Sequence, residues 1–165
     1  MKRMLYLTIV FLAFVRITPA QTIPKELWGT WVVSREVPTT TIPCWGEKEA
    51  RKLIGTELEY ASELFRWHKV VTKNPIATTA TVTAQQFHDA NSGGSTASSQ
   101  VTFQQLGIKG DRAVEVEIQH PIGSLTGATG EIPGDHIFLK DANTIIFSVC
   151  NVYFEAKRHM PSNGS

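Results

Sequence analysis

Val152-Tyr153-Phe154-Glu155-Ala156-Lys157-Arg158, close to the C-terminus, alternates with a period of two. Val152, Phe154, Ala156 and Arg158 fall on one side of a strand; Tyr153, Glu155 and Lys157 fall on the other. The first side is the apolar one, so it faces a core and carries Arg158 inward at the strand's end. An inward charge needs a partner or a lid. A guanidinium stacks well on an indole face. Trp31, in Gly29-Thr30-Trp31, lies near the start of the first strand, on its apolar side. If the first and last strands pair antiparallel, Trp31 and Arg158 meet at one end of a closed sheet.

The two cysteines point to the same pairing. Cys44 follows the first strand and Cys150 precedes the last. The end of one antiparallel strand lies beside the start of the other, so both thiols fall at the end opposite Trp31 and Arg158. An even pair in an exported chain most simply forms one disulfide. Neither Cys has a His or a second Cys within four residues, so ligand spacing for a metal is absent.

Export is read from the leader. Lys2 and Arg3 precede an apolar run over residues 5–15, and Thr18-Pro19-Ala20 supplies small residues for cleavage after Ala20. The run is too short to span a bilayer. The expectation is a cleaved signal peptide over residues 1–20, one domain over 21–160 and a disordered tail over 161–165. Destination is the periplasm or the exterior, with no membrane contact after cleavage. Three of the sixteen Lys and Arg lie in the leader and none of the fifteen Asp and Glu does, which leaves a net charge of −2 from residue 21 onward. Nothing resembles the concentrated basic patch of a nucleic-acid binder. Lys157-Arg158-His159 reads as a solvated strand edge.

The rest of the chain is rich in short β signals. Residues 28–37 read as a strand with Trp31, Val33 and Val37 on one face. Residues 47–54 (EKEARKLI) form the one clear helix, acidic at its start and stopped by Gly55. Further strands are read at 56–60, 64–71, 78–83, 101–103 and 113–119. In the last of these Val114, Val116 and Ile118 face a dry side and Glu115, Glu117 and Gln119 a wet one. Residues 85–88 are a helical turn or a strand end, and 90–99 are a flexible Gly/Ser loop. Residues 121–134 are a long loop, and 136–140 and 144–149 form a hairpin. The fold expected is all-β: an antiparallel, mostly up-and-down β-barrel of about eight strands, with one short helix after the first strand.

A first strand carrying Gly29-Thr30-Trp31 and an inward Arg158 near the C-terminus resemble the calycin superfamily of lipocalins, fatty-acid-binding proteins and avidin-like barrels. The chain lacks the long helix that lipocalins place after the barrel. Its C-terminal run GDHIFLKDANTIIFSVCNVYFEAKR is similar to small exported bacterial proteins of unassigned function. The resemblance implies barrel closure by Gly29, Trp31 and Arg158, and a cup for a small ligand.

No catalytic motif and no cofactor signature is visible. His68, His88, His120, His136 and His159 are scattered without metal-ligand spacing. His88-Asp89 are adjacent and would point to opposite faces of a strand. The serines of 92–99 lack a nucleophile elbow. Glu115 and Glu117 share a solvated sheet face. Trp45, Trp67 and His68 are the candidate ligand contacts, Trp45 in a loop and the other two at a barrel mouth. The expected function is a secreted, monomeric, lipocalin-like barrel that binds a small apolar or amphipathic ligand. The alternative is an exported protein-interaction or inhibitor-like module with a packed barrel that acts through its loops on an extracytoplasmic protein. A cavity of about 300 Å³ or more inside the barrel separates the two.

Overall fold

The computed structural model describes residues 22–44, 46–91, 101–120 and 131–160. Residues 1–20, expected to be a signal peptide, Trp45, most of the segments 90–99 and 121–134 expected to be loops, and residues 161–165, expected to be a tail, lie outside the described residues.

Among the described residues a 3-10 turn, Lys25–Leu27, leads into nine strands and three short helices. The strands are β1 (Gly29–Val37), β2 (Glu57–Ala61), β3 (Leu64–Trp67), β4 (Val70–Lys73), β5 (Ile76–Thr83), β6 (Arg112–Gln119), β7 (His136–Asp141), β8 (Thr144–Val149) and β9 (Val152–Arg158). The helices interrupt them: α1 (Glu47–Arg51), α2 (Ala84–Asn91) and α3 (Phe103–Leu106). All strands are antiparallel, in one sheet of order β4-β3-β2-β1-β9-β8-β7-β6-β5, curled into a half barrel. That order is cyclic up-and-down with one open seam: β4 and β5 are joined by Asn74-Pro75 yet form the two sheet edges. No helix among the described residues is long and apolar enough to cross a membrane.

Four local features differ from the expectation. Residues 64–71 form two strands instead of one, because His68 adopts a left-handed φ of 49° and turns the chain between Trp67 and Val70. Residues 101–103 are not a strand. Thr102 and Gln105 form a reciprocal capping box that starts α3, and Gly107 in the left-handed region ends it. Residues 85–88 belong to the eight-residue helix α2. Val37 lies on the opposite face from Trp31 and Val33, because a bulge between Val33 and Arg35 shifts the alternation by one residue.

The inner face is filled. Trp31, Leu58, Phe65, Phe147 and Phe154 are fully buried there, and Ile23 and Leu27 from the N-terminal turn pack into the same core. The outer face of β7–β9 carries a second core, formed by Phe138, Ile146 and Tyr153 under Phe87 of α2 and Phe103 and Leu106 of α3. Both faces of these strands are dry, which explains why β8 (TIIFSV) is almost continuously apolar.

Candidate functional site

The strand-closing residues form a lock. Trp31 and Arg158 are register partners in β1 and β9, and the guanidinium carbon stands 4.1 Å from the indole centroid. Arg158 donates to the carbonyls of Glu26 (2.6 Å) and Ala142 (3.1 Å) and to that of Trp28, while Trp31 Nε1 donates to Leu27 O at 2.7 Å. Gly29 adopts φ +120°, and a Cβ there would lie 3.2 Å from Arg158 Nη1. These bonds tie the N-terminal turn across the end of the sheet. With its donors spent on carbonyls and its face on the indole, Arg158 is a structural clasp.

At the other end, Cys44 and Cys150 form a disulfide across a sequence separation of 106, with Cα atoms 5.1 Å apart. Cys150 and Asn151 make the two-residue β8–β9 turn with φ of 54° and 61°. Cys44 N–H donates to Cys150 O at 3.1 Å.

The mouth candidates do not converge. Trp67 is half-buried beside the inner core, with Nε1 buried and without a hydrogen-bond partner among the described residues. His68, on the β3–β4 turn, packs edge-on to Trp67 at 4.8 Å but lines a shallow outer depression with Glu57, Glu59 and Arg66. Trp45 lies outside the described residues.

Three residues that the sequence alone does not connect meet beneath the seam. Thr72 Oγ1 and His120 Nδ1 are 2.8 Å apart, and His120 Nε2 lies 3.7 Å from Asp135 Oδ2. The order is hydroxyl, imidazole, carboxylate. It does not make a nucleophile: Thr72 is buried, and no described pocket opens on it. Burial pushes Asp135 up to about 6 and lowers His120, so burial disfavours the charged form of both groups.

A concavity with converging polar groups lies on the outer face. It is a groove of about 700 Å³ between the sheet and α2. Its floor is the outer side of β5 to β9, with Ala80, Val82, Phe138 and Tyr153. Phe87, Ala90 and Asn91 of α2 form one wall; Thr41, Ile42 and Asn151 form the facing rim. Phe138 packs against Phe87 edge-on at 5.2 Å and against His136 at 5.2 Å, giving an aromatic strip. His136 Nε2 and Glu115 Oε1 are 2.6 Å apart at one end. Across the groove, Tyr153 OH donates to Asn91 Oδ1 at 3.1 Å. Burial pushes that phenol up to about 12, so it stays a neutral donor. A second hollow of similar volume at α2 and α3 is more open and lined mostly by loop and helix surface.

The groove escaped sequence reading because its walls come from elements far apart in the chain. The sequence signals for it are Tyr153, on the side of the last strand opposite its apolar one, and the capping box at Thr102 and Gln105. Among the described residues no three His, Cys, Asp or Glu side chains converge as a metal site. No protein-family model, curated protein or solved structure matches the chain.

Proposed function

We propose that the chain is an exported half-barrel protein that binds a small amphipathic ligand, and that the ligand lies in the outer groove and not in the cup. The leader and the disulfide support export. The observation that carries the site is the contrast between a filled interior and a groove of about 700 Å³ with an aromatic floor and polar groups at its ends. Trp31, Phe147 and Phe154 occupy the space that a cup ligand would need. The groove has the mixed lining that orients an amphipath: apolar contact along Phe87 and Phe138, and hydrogen bonding at His136, Glu115 and Tyr153.

Titration of the secreted protein with 1-anilinonaphthalene-8-sulfonate, beside mass spectrometry of its organic extract, tests the reading. Ala90 is exposed on the groove wall, so Ala90→Trp fills the groove without entering a core. The expected result is a co-purified or titrated ligand whose affinity falls about tenfold or more in Ala90→Trp, a loss of about 1.4 kcal/mol. Equal affinity in the two proteins would overturn the groove as the site. Absence of binding in both favours the interaction-module reading, which shares the packed interior.

A further inference from the structure

Strand β5 (IATTATVT) is one of the two edges of the sheet, with no strand partner beyond β6 among the described residues. It is eight residues long, carries no charge, and pairs with β6 without a bulge from Ile76↔Gln119 to Thr83↔Arg112. Natural edges are commonly shortened, bulged or guarded by Lys or Pro. The opposite edge obeys that rule: β4 has four residues and ends in Lys73. Strand β5 does not. Pro75 stands just before it, and all eight positions after Pro75 are Thr, Ala, Val or Ile. Thr78, Thr79, Ala80 and Thr81 are exposed, and Ile76 keeps about half of its surface in solvent (47%).

We infer that β5 is the surface on which a second copy of this chain docks, antiparallel, about a two-fold axis through Thr79. The register follows from the side-chain pattern. A two-fold axis perpendicular to the sheet keeps each face continuous, so the axis must pass through a residue; a one-residue slip would set opposite faces against each other. With the axis at Thr79, Ile76 lies opposite Val82, Ala77 opposite Thr81, Thr78 opposite Ala80, and Thr79 opposite its own copy. Every pair is aliphatic or hydroxyl, and the exposed Ile76 gains a β-branched neighbour on the outer face. An axis at Ala80 would bring Thr83 into the ladder opposite Ala77, and the Thr83 N–H already donates to Gln86 Oε1 at 2.9 Å. An axis at Thr78 would pair only Ile76 to Ala80 before Pro75, which has no N–H to donate, comes opposite Thr81. Self-complementarity without charge is what singles out a second copy as the occupant.

Seven residues per copy bury less than a standard interface, so association is weak and concentration-dependent. Sedimentation velocity of the secreted protein over a concentration series should show a reversible monomer–dimer equilibrium. Thr79→Lys sets two ammonium groups opposite each other and should weaken the dimer about tenfold or more, with the far-UV circular dichroism unchanged. The two native cysteines are joined to each other, so an added thiol is the sole free one. Thr79→Cys should give a reducible covalent dimer, because its partner is itself. Ala80→Cys, opposite Thr78, should cross-link much more slowly. A chain that stays monomeric at every concentration, with the two cysteine variants cross-linking alike, overturns the proposal. So does a dimer that persists in Thr79→Lys.

Discussion

The two faces of the half barrel bury side chains under different covers, and each holds one carboxylate in a different setting: Glu155 buried, Asp135 half-buried. The inner face closes on itself. Strand curvature brings Phe65, Phe147 and Phe154 together, and the N-terminal turn, Ala50 of α1, Leu53 and Ile132 pack into the same cluster. The outer face of β7–β9 needs α2 and α3 as a roof, and that roof stops short, leaving the groove. On the outer face Glu155 is 5% exposed yet ionised. Burial alone would raise it, but Lys140 (2.9 Å), Arg35 (3.0 Å) and Lys157 (3.1 Å) outweigh burial and hold it at about 2. On the inner side Asp135 has no cation in hydrogen-bond contact, and burial pushes it up to about 6. A buried carboxylate ringed by cations favours folding; one left without such a ring opposes it when ionised.

The sharpest way to break the contrast is to open each core in turn. Phe154→Ala leaves a hole enclosed on all sides and should cost about 3–5 kcal/mol. Phe87→Ala, whose ring borders the groove, leaves a hole that water can reach and should cost less, about 2–3 kcal/mol. Chemical denaturation of both variants checks the ranking; equal losses would mean that the outer roof packs as tightly as the inner core.

The next effect is that of the outer carboxylate. Glu155→Gln should cost about 2 kcal/mol at neutral pH, since three charged partners lose their acceptor. The pH dependence has a definite sign. The folded value of Glu155 lies below its ordinary 4.5, so its contribution is full above about 4.5 and is lost as pH falls toward about 2. Wild type and variant should therefore converge in melting temperature across that window, read by circular dichroism.

The smallest expected effect has the opposite sign. Asp135 in the folded chain keeps its proton up to about 6, whereas the unfolded chain releases it near 3.8. Stability from this group therefore falls as pH rises from about 3.8 to about 6. Asp135→Asn should be more stable than wild type by about 1 kcal/mol at pH 7 and no more stable near pH 3.5. A variant destabilised at both pH values would show that the carboxylate near His120 serves the fold in its ionised form.

Period-two alternation belongs to the chain itself, and it carried most of the architecture. Residues 152–158 declare a strand and its inward side, and the class, all-β and antiparallel, follows from many such runs. A chain with two cysteines similarly limits their pairing. What alternation misses is any place where a single residue resets the phase. His68 at positive φ splits one strand into two, and the bulge after Val33 turns Val37 outward. Both depend on local backbone conformations that composition does not announce.

The sequence by itself determined most of the strands, the presence of a helix after the first strand and the existence of an inner core, because burial on one face of a strand writes itself every second residue. The tertiary structure alone decided that the outer face of β7–β9 is also dry, that Thr72, His120 and Asp135 meet, that β4 and β5 are the two edges of the described sheet, and that the groove lies outside it. Each of these depends on how residues from separate elements are brought together. Their proximity arises from strand order and curvature, which no local pattern encodes.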